Sequence, residues 1–125
     1  MTERVFTGKA PKPIGPYSQA VKAGGFVFAS AQLGIDPSTG VLAQGVEDQA
    51  RAAIRNLGSV LTEAGCGWGS VVKVTLYLAD MSSFGKVNEI YAAFLGEAAP
   101  ARSTIGVSSL PRGGLVAIDA LACLG

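Results

Sequence analysis

Two periodicities alternate along this chain. From Val46 onward, Val46, Ala50, Ala53, Ile54, Leu57, Val60, Leu61 and Ala64 recur at helical spacing, with Asp48, Arg51 and Arg55 outside the stripe. Glu47 and Asp48 suit the positive end of a helix dipole, and Gly65 supplies a left-handed stop. A helix is therefore expected over 46–64. At Val71 to Leu78 the period becomes two, with Val72, Val74, Leu76 and Leu78 on one face and Lys73, Thr75 and Tyr77 on the other. A second helix follows, capped by Ser82 or Ser83, with a stripe of Phe84, Val87, Tyr91 and Phe94 and an end at Gly96. Asn88 sits at the margin of that stripe, either as a satisfied boundary amide or aimed into an interface.

The N-terminal third reads as strands and a stiff linker. A short strand is expected at Val5-Phe6-Thr7. Pro11, Pro13 and Pro16 hold the chain extended up to Tyr17, which follows a rigid turn and either packs on the surface or lines a pocket. Ala20 to Ala23 and Phe26 to Ser30 form a hairpin turned at Gly24-Gly25. The second of these strands is almost wholly apolar, so it is expected to be central and covered on both faces. It runs into Ser30-Ala31-Gln32, polar atoms at a strand end. Asp36 to Gly40 is a turn, with Val41-Leu42 a short extension beyond it.

The C-terminal stretch poses the sharpest question. Strands starting near Ala101 and Val116 flank Pro111-Arg112-Gly113-Gly114, and the simplest pairing is an antiparallel hairpin. That register puts Arg102 on one face with Ala117, Asp119 and Leu121. An unpaired charge buried in a strand costs several kcal/mol, so Arg102 and Asp119 need a partner residue, a subunit interface or a ligand. The order β-ββ-α-β-α-ββ is α+β, with two helices over one face of a sheet and another subunit the natural cover for the other.

Composition narrows the chemistry. The 125 residues suit one domain, 1–125, and are 49% hydrophobic but only 15% charged, which favours a homo-oligomer with an apolar interface. No apolar stretch approaches a membrane span, and the N-terminus lacks a signal-peptide core, which points to the cytoplasm. The net charge of +1 is scattered, which argues against nucleic acid as a partner. Cys66 and Cys123 have no metal-ligand spacing and read as small buried hydrophobes. With no histidine, Ser-His, Cys-His and His-metal mechanisms are excluded within one chain.

Six motifs in order carry a family resemblance. They are Ile14 to Ala20, Ser30-Ala31-Gln32, Asp36 to Gly40, Asp80 to Phe84 leading into Val87 to Tyr91, Pro100 to Thr104, and Leu110-Pro111. Together they resemble the RidA/YjgF family of imine and enamine deaminases, also called endoribonuclease L-PSP. The resemblance implies a chorismate-mutase-like α+β fold, a mixed and mostly antiparallel sheet covered by two helices. It implies a homotrimer with ligand clefts between subunits. It also implies cofactor-free, metal-free hydrolysis of small 2-imino acids to 2-keto acids and ammonia.

The residue matching the family's carboxylate anchor is Arg102, and those matching its cleft are Tyr17, Ser30, Asn88 and Thr104. The family's last strand carries two acids at alternate positions, the first of which holds the attacking water. Here these positions are Ala117 and Asp119. Ala117 cannot hold water through its side chain, and Asp119 either substitutes in part or is structural. Ala31 stands where the family has glycine and adds a methyl beside Ser30. The loss at Ala117 keeps a second reading open, a protein that binds keto or amino acids without turnover. An endoribonuclease is a third, disfavoured by the scattered charge.

Overall fold

The last strand in the chain lies at the centre of the sheet. The computed structural model describes residues 2–125. Its six strands are β1 (Glu3–Val5), β2 (Ala20–Ala23), β3 (Phe26–Leu33), β4 (Val71–Leu78), β5 (Ala101–Gly106) and β6 (Val116–Cys123). They form one sheet in the order β1-β2-β3-β6-β4-β5. Helix α1 (Gly45–Glu63) links β3 to β4, and α2 (Phe84–Leu95) links β4 to β5. A helical crossover permits parallel pairing, and β4 and β5 pair in parallel. β6 then enters antiparallel to both β3 and β4. Its near-continuous apolar run, buried from Val116 through Ile118, is what a central strand requires.

Both helices cover one face. Val27, Val74, Leu76, Leu78, Ile118 and Ala122 meet Ile54, Leu57, Leu61, Val87 and Leu95 in a single core. Each large side chain fully buried there contributes about 1.5–3 kcal/mol relative to exposure. The other face stays open in the single chain, with Phe26, Phe28 and Ile105 exposed. No helix among the described residues is long and apolar enough to cross a membrane.

The α+β class, both helices and the β2–β3 hairpin follow the sequence pattern, and several details do not. β1 lies at Glu3–Val5, ahead of the expected Val5-Phe6-Thr7. β3 is central but alternates buried and exposed, because only one of its faces meets a helix. In β4 an irregularity at the edge of the β6 pairing turns Val71 inward and leaves Val72 exposed. Ser83 occupies the N-cap position of α2 as expected but makes no side-chain cap bond. Asp80 instead caps the short turn Met81–Ser83 ahead of it, its carboxylate accepting from the Ser82 N–H at 2.9 Å. Gly96 keeps helical angles, and the left-handed residue after α2 is Ala99. Cys66 is buried as expected, but Cys123 is exposed.

The C-terminal hairpin does not exist. β4 lies between β5 and β6, so the two strands never pair. Arg102 is in register with Val74, whose side chain points into the helix-covered core, whereas Asp119 is in register with Thr75 on the open face. Arg102 and Asp119 therefore lie on opposite faces of the sheet, and the expected shared face with Ala117 and Leu121 is overturned.

Candidate active site

A cleft of about 670 Å³ opens at one end of the open face. Its walls are Pro11, Lys12, Ile14 and Tyr17, the Ser30–Leu33 end of β3, the Asp36 turn, and Leu110 to Arg112. Tyr77 and Ala117 form its sheet side. These segments are far apart in sequence, and buried amides hold them in place. Gln19 accepts from the Thr7 N–H at 2.7 Å and donates to the carbonyls of Thr7 and Pro11 at 3.1 and 2.9 Å, fixing the proline-rich wall. Asn56 on α1 donates to the carbonyls of Leu33 and Ile35 at 3.0 and 2.8 Å. Gln49 accepts from the Leu115 N–H and donates to the Ala43 carbonyl. Arg112, left-handed at φ 63°, donates to the Gly40 carbonyl at 2.8 Å and ties two parts of the rim together.

A bulge aims the end of β3 into this cleft. Ala29 pairs with Ala120 and Gln32 with Ile118, so Ser30 and Ala31 together oppose Asp119. An extra residue bends the strand and redirects its side chains. Both Ser30 and Ala31 line the cleft, and the Ser30 hydroxyl donates to the Ser18 carbonyl at 2.6 Å. Tyr17 lines the same wall and is exposed. Three expected cleft residues are thus gathered: Tyr17, Ser30 and Ala31.

Ala117 lies between Leu33 and Tyr77 in the sheet, and all three border the cleft. Asp119 does not. Its carboxylate accepts the Tyr77 hydroxyl proton at 2.7 Å. That bond, reinforced by burial and the nearby negative charge, raises the Tyr77 phenol above its ordinary value. The compensation that Asp119 needs comes from Tyr77, a residue that strand alternation places on the open face but that carries no motif of its own.

The remaining expected residues gather elsewhere. Arg102 Nη1 donates to Asn88 Oδ1 at 2.8 Å. Its guanidinium carbon lies 4.7 Å from the Tyr91 ring centroid and 5.6 Å from that of Phe84. Phe84, Asn88 and Tyr91 are spaced i, i+4 and i+7 on α2, so one helical face builds the whole cradle. Stacking on aromatic faces suits a planar guanidinium and fixes its direction. Among the described residues Asn88 is its only hydrogen-bond acceptor, which leaves donors free for a ligand. Thr104 is on the same face, two residues along β5. Among the described residues the Tyr91 hydroxyl is buried without a partner, and burial raises its phenol despite the opposing effect of Arg102.

One chain therefore holds an arginine cradle and a cleft on different sides of the sheet. Among the described residues no three His, Cys, Asp or Glu side chains gather as a metal site.

Comparison with known proteins assigns the lineage. The family model described as Endoribonuclease L-PSP matches residues 7–124. A RutC family protein of Pyrococcus horikoshii is 50% identical, covering 98% of each chain. The 2-iminobutanoate/2-iminopropanoate deaminase of Mus musculus is 48% identical over 97% of this chain and 90% of its own. Among solved structures, E. coli TdcF with bound serine aligns with a TM-score of 0.94 at 35% identity, covering 98% and 99% of the two chains. RidA from the Antarctic bacterium Psychrobacter aligns at 0.94 with 40% identity, covering the same shares. The chain belongs to the endoribonuclease L-PSP family, the group of RidA/YjgF proteins.

Proposed function

We propose that the protein hydrolyses small 2-imino acids to 2-keto acids and ammonia without a cofactor, with Arg102 as the carboxylate anchor. The observation that carries this reading is the Arg102 cradle, which points a guanidinium with free donors out of an apolar and aromatic setting. Two parallel N–H donors match a carboxylate, and partial desolvation strengthens the pair. The name borne by the mouse relative and the serine carried by TdcF support a small amino- or imino-acid ligand.

In this reading the site is shared between copies of the chain. The cleft with Tyr17 and Ser30 and the cradle with Arg102 and Asn88 sit on different faces, so a neighbouring chain supplies the half that one chain lacks. A homotrimer places three such junctions around its axis, and the open apolar face with Phe26 and Phe28 is the surface such an assembly covers. Asn88 holds the anchor, and Thr104 sits beside it. Tyr17, Ser30 and Ala31 shape the pocket around C2 of the substrate. The bound iminium is already an electrophile, so orienting it against a water supplies much of the rate gain.

Ala117 specifically favours a second reading, a binding protein for keto or amino acids without turnover, because its methyl cannot hold a water. One assay separates the two. 2-Iminobutanoate is generated in situ by an amino-acid oxidase, and its hydrolysis is followed with and without the protein. Acceleration above the uncatalysed rate is expected. Binding of 2-oxobutanoate with no acceleration establishes the binding protein instead.

A further inference from the structure

Imine hydrolysis needs a group that holds a water and takes its proton. Asp36 is a carboxylate on the cleft wall, but its Oδ1 already accepts from the Ser38 N–H and hydroxyl at 2.8 and 2.7 Å. Those bonds stabilise the ionised form and make it a poor base. Tyr77 differs. It is the cross-strand partner of Ala117, and both border the cleft. Paired residues of an antiparallel ladder stand with Cβ atoms about 4.5–5.5 Å apart, so the base of the Tyr77 side chain stands beside the small Ala117 methyl while its hydroxyl reaches toward Asp119. Behind it, Asp119 accepts the phenolic proton at 2.7 Å from outside the cleft lining. A phenol that donates to a carboxylate keeps a lone pair free to accept from water, even with the Thr75 hydroxyl also near its oxygen.

We infer that Tyr77 is a catalytic residue of this chain, receiving the proton of the attacking water, and that Asp119 is its positioning residue and proton store. The inference rests on the deaminase reading. As the water oxygen bonds to C2 of the iminium, the C=N π pair moves to nitrogen. One water proton passes to Tyr77 Oη while the Tyr77 proton passes to Asp119, leaving a neutral carbinolamine and a protonated carboxyl. That proton returns through Tyr77 to the amine. The C2–N bond then breaks with its electron pair on nitrogen, and the hydroxyl O–H pair becomes the C=O bond. The products are the 2-keto acid and ammonium, the latter carrying the hydroxyl proton.

The test compares wild type and four variants with in situ 2-iminobutanoate, each checked for an unchanged oligomer by light scattering. Tyr77→Phe keeps the ring and is expected to lower kcat by about 10- to 100-fold with KM within about two-fold, as loss of a proton-transfer group should. Asp119→Asn is expected to lose a similar factor, and the double variant no more than either single one, because the two groups act in series. Adding Ala117→Glu to Tyr77→Phe puts a carboxylate at the cleft surface and should recover kcat. A purely structural bond predicts the opposite for the rescue, no recovery of kcat with Ala117→Glu, whereas the double variant is non-additive in either case because the two residues share one bond. An active wild type with an equally active Tyr77→Phe overturns the relay and leaves the deaminase standing. An inactive wild type ends both.

Discussion

The arginine cradle and the cleft are two halves built in contrasting ways. The cradle uses one face of α2 and one residue of an edge strand, and its order comes from stacking and a single amide bond. The cleft is assembled from segments that span the chain from Pro11 to Ala117 and depends on buried tethers from Gln19, Gln49 and Asn56. The cradle offers a guanidinium oriented for charge recognition, and the cleft offers about 670 Å³ of space whose lining includes Lys12 and an Arg112 already bonded to the Gly40 carbonyl. Under the proposed function, an imino acid is too small to span the sheet, and the two halves would serve it only if different copies brought them together.

The largest expected effects break the cradle. Arg102→Ala should lower kcat/KM for 2-iminobutanoate at least about 100-fold, since a lost bidentate, partly desolvated pair is worth roughly 3 kcal/mol. Undiminished activity would remove the anchor role. The shared-site reading makes a sharper demand. Ala117→Phe should fill the cleft and abolish activity, while its Arg102 stays intact. Co-refolding the two inactive variants in equal amounts should restore roughly a quarter of wild-type activity, because one junction in four pairs a good anchor with a good cleft. Zero recovery would place both halves of a working site within one chain.

Breaking the cleft should instead cost stability while the cradle survives. A Cβ added at Gly34 would lie 2.5 Å from the Gln49 Cα and carbonyl oxygen, which are backbone atoms that cannot swing aside. Gly34→Ala should therefore destabilise by about 1–3 kcal/mol. Asn56→Ala leaves the Leu33 and Ile35 carbonyls without their amide donor and should cost a similar amount. Thermal melts should register each as a fall in Tm of about 3–10 °C. A melt unchanged in both would mean that the tethers do not hold the cleft wall.

The same contrast governs what the sequence made legible. The helices and β4 were readable because their periods lie within a few neighbouring residues. The cradle residues Arg102 and Asn88 carried motif signals, but their bond needs β5 beside α2, which local pattern does not specify. The adjacency of β5 and β6 in the chain suggested a hairpin, and nothing local distinguishes that from a central β6 reached across β4. From that one topological error followed the wrong face for Arg102 and the missed bond between Tyr77 and Asp119. Gln19, Gln49 and Asn56 were silent for a different reason: a tethering amide resembles any surface amide until its carbonyl partners are placed.

A smaller effect tests how firmly the cradle orients its charge. Tyr91→Leu removes the ring nearest the guanidinium while keeping an apolar side chain against the core. A stacking contribution of about 0.5–2 kcal/mol translates to a two- to thirty-fold rise in KM with kcat less affected. A KM unchanged by this variant would assign the orientation to Asn88 and Phe84.

The smallest effect belongs to the cleft side and is read by titration. The Tyr77 phenol is raised above its ordinary value of 10.0, first by its bond to Asp119 and then by burial and the carboxylate charge. Ionising it would replace a donated hydrogen bond with two facing negative charges. The sign follows: the bond's contribution to stability is fully present below the unfolded phenol value near 10 and is lost as pH rises through the higher folded value. Absorbance at 295 nm, with Tyr77→Phe identifying the Tyr77 component, should show that component moving to lower pH in Asp119→Asn. The variant should also lose less stability than wild type between neutral and strongly alkaline pH. A curve that does not move would mean that the phenol and the carboxylate part in solution. Asp119 would then be an open-face acid without the partner that gives it a part in the cleft.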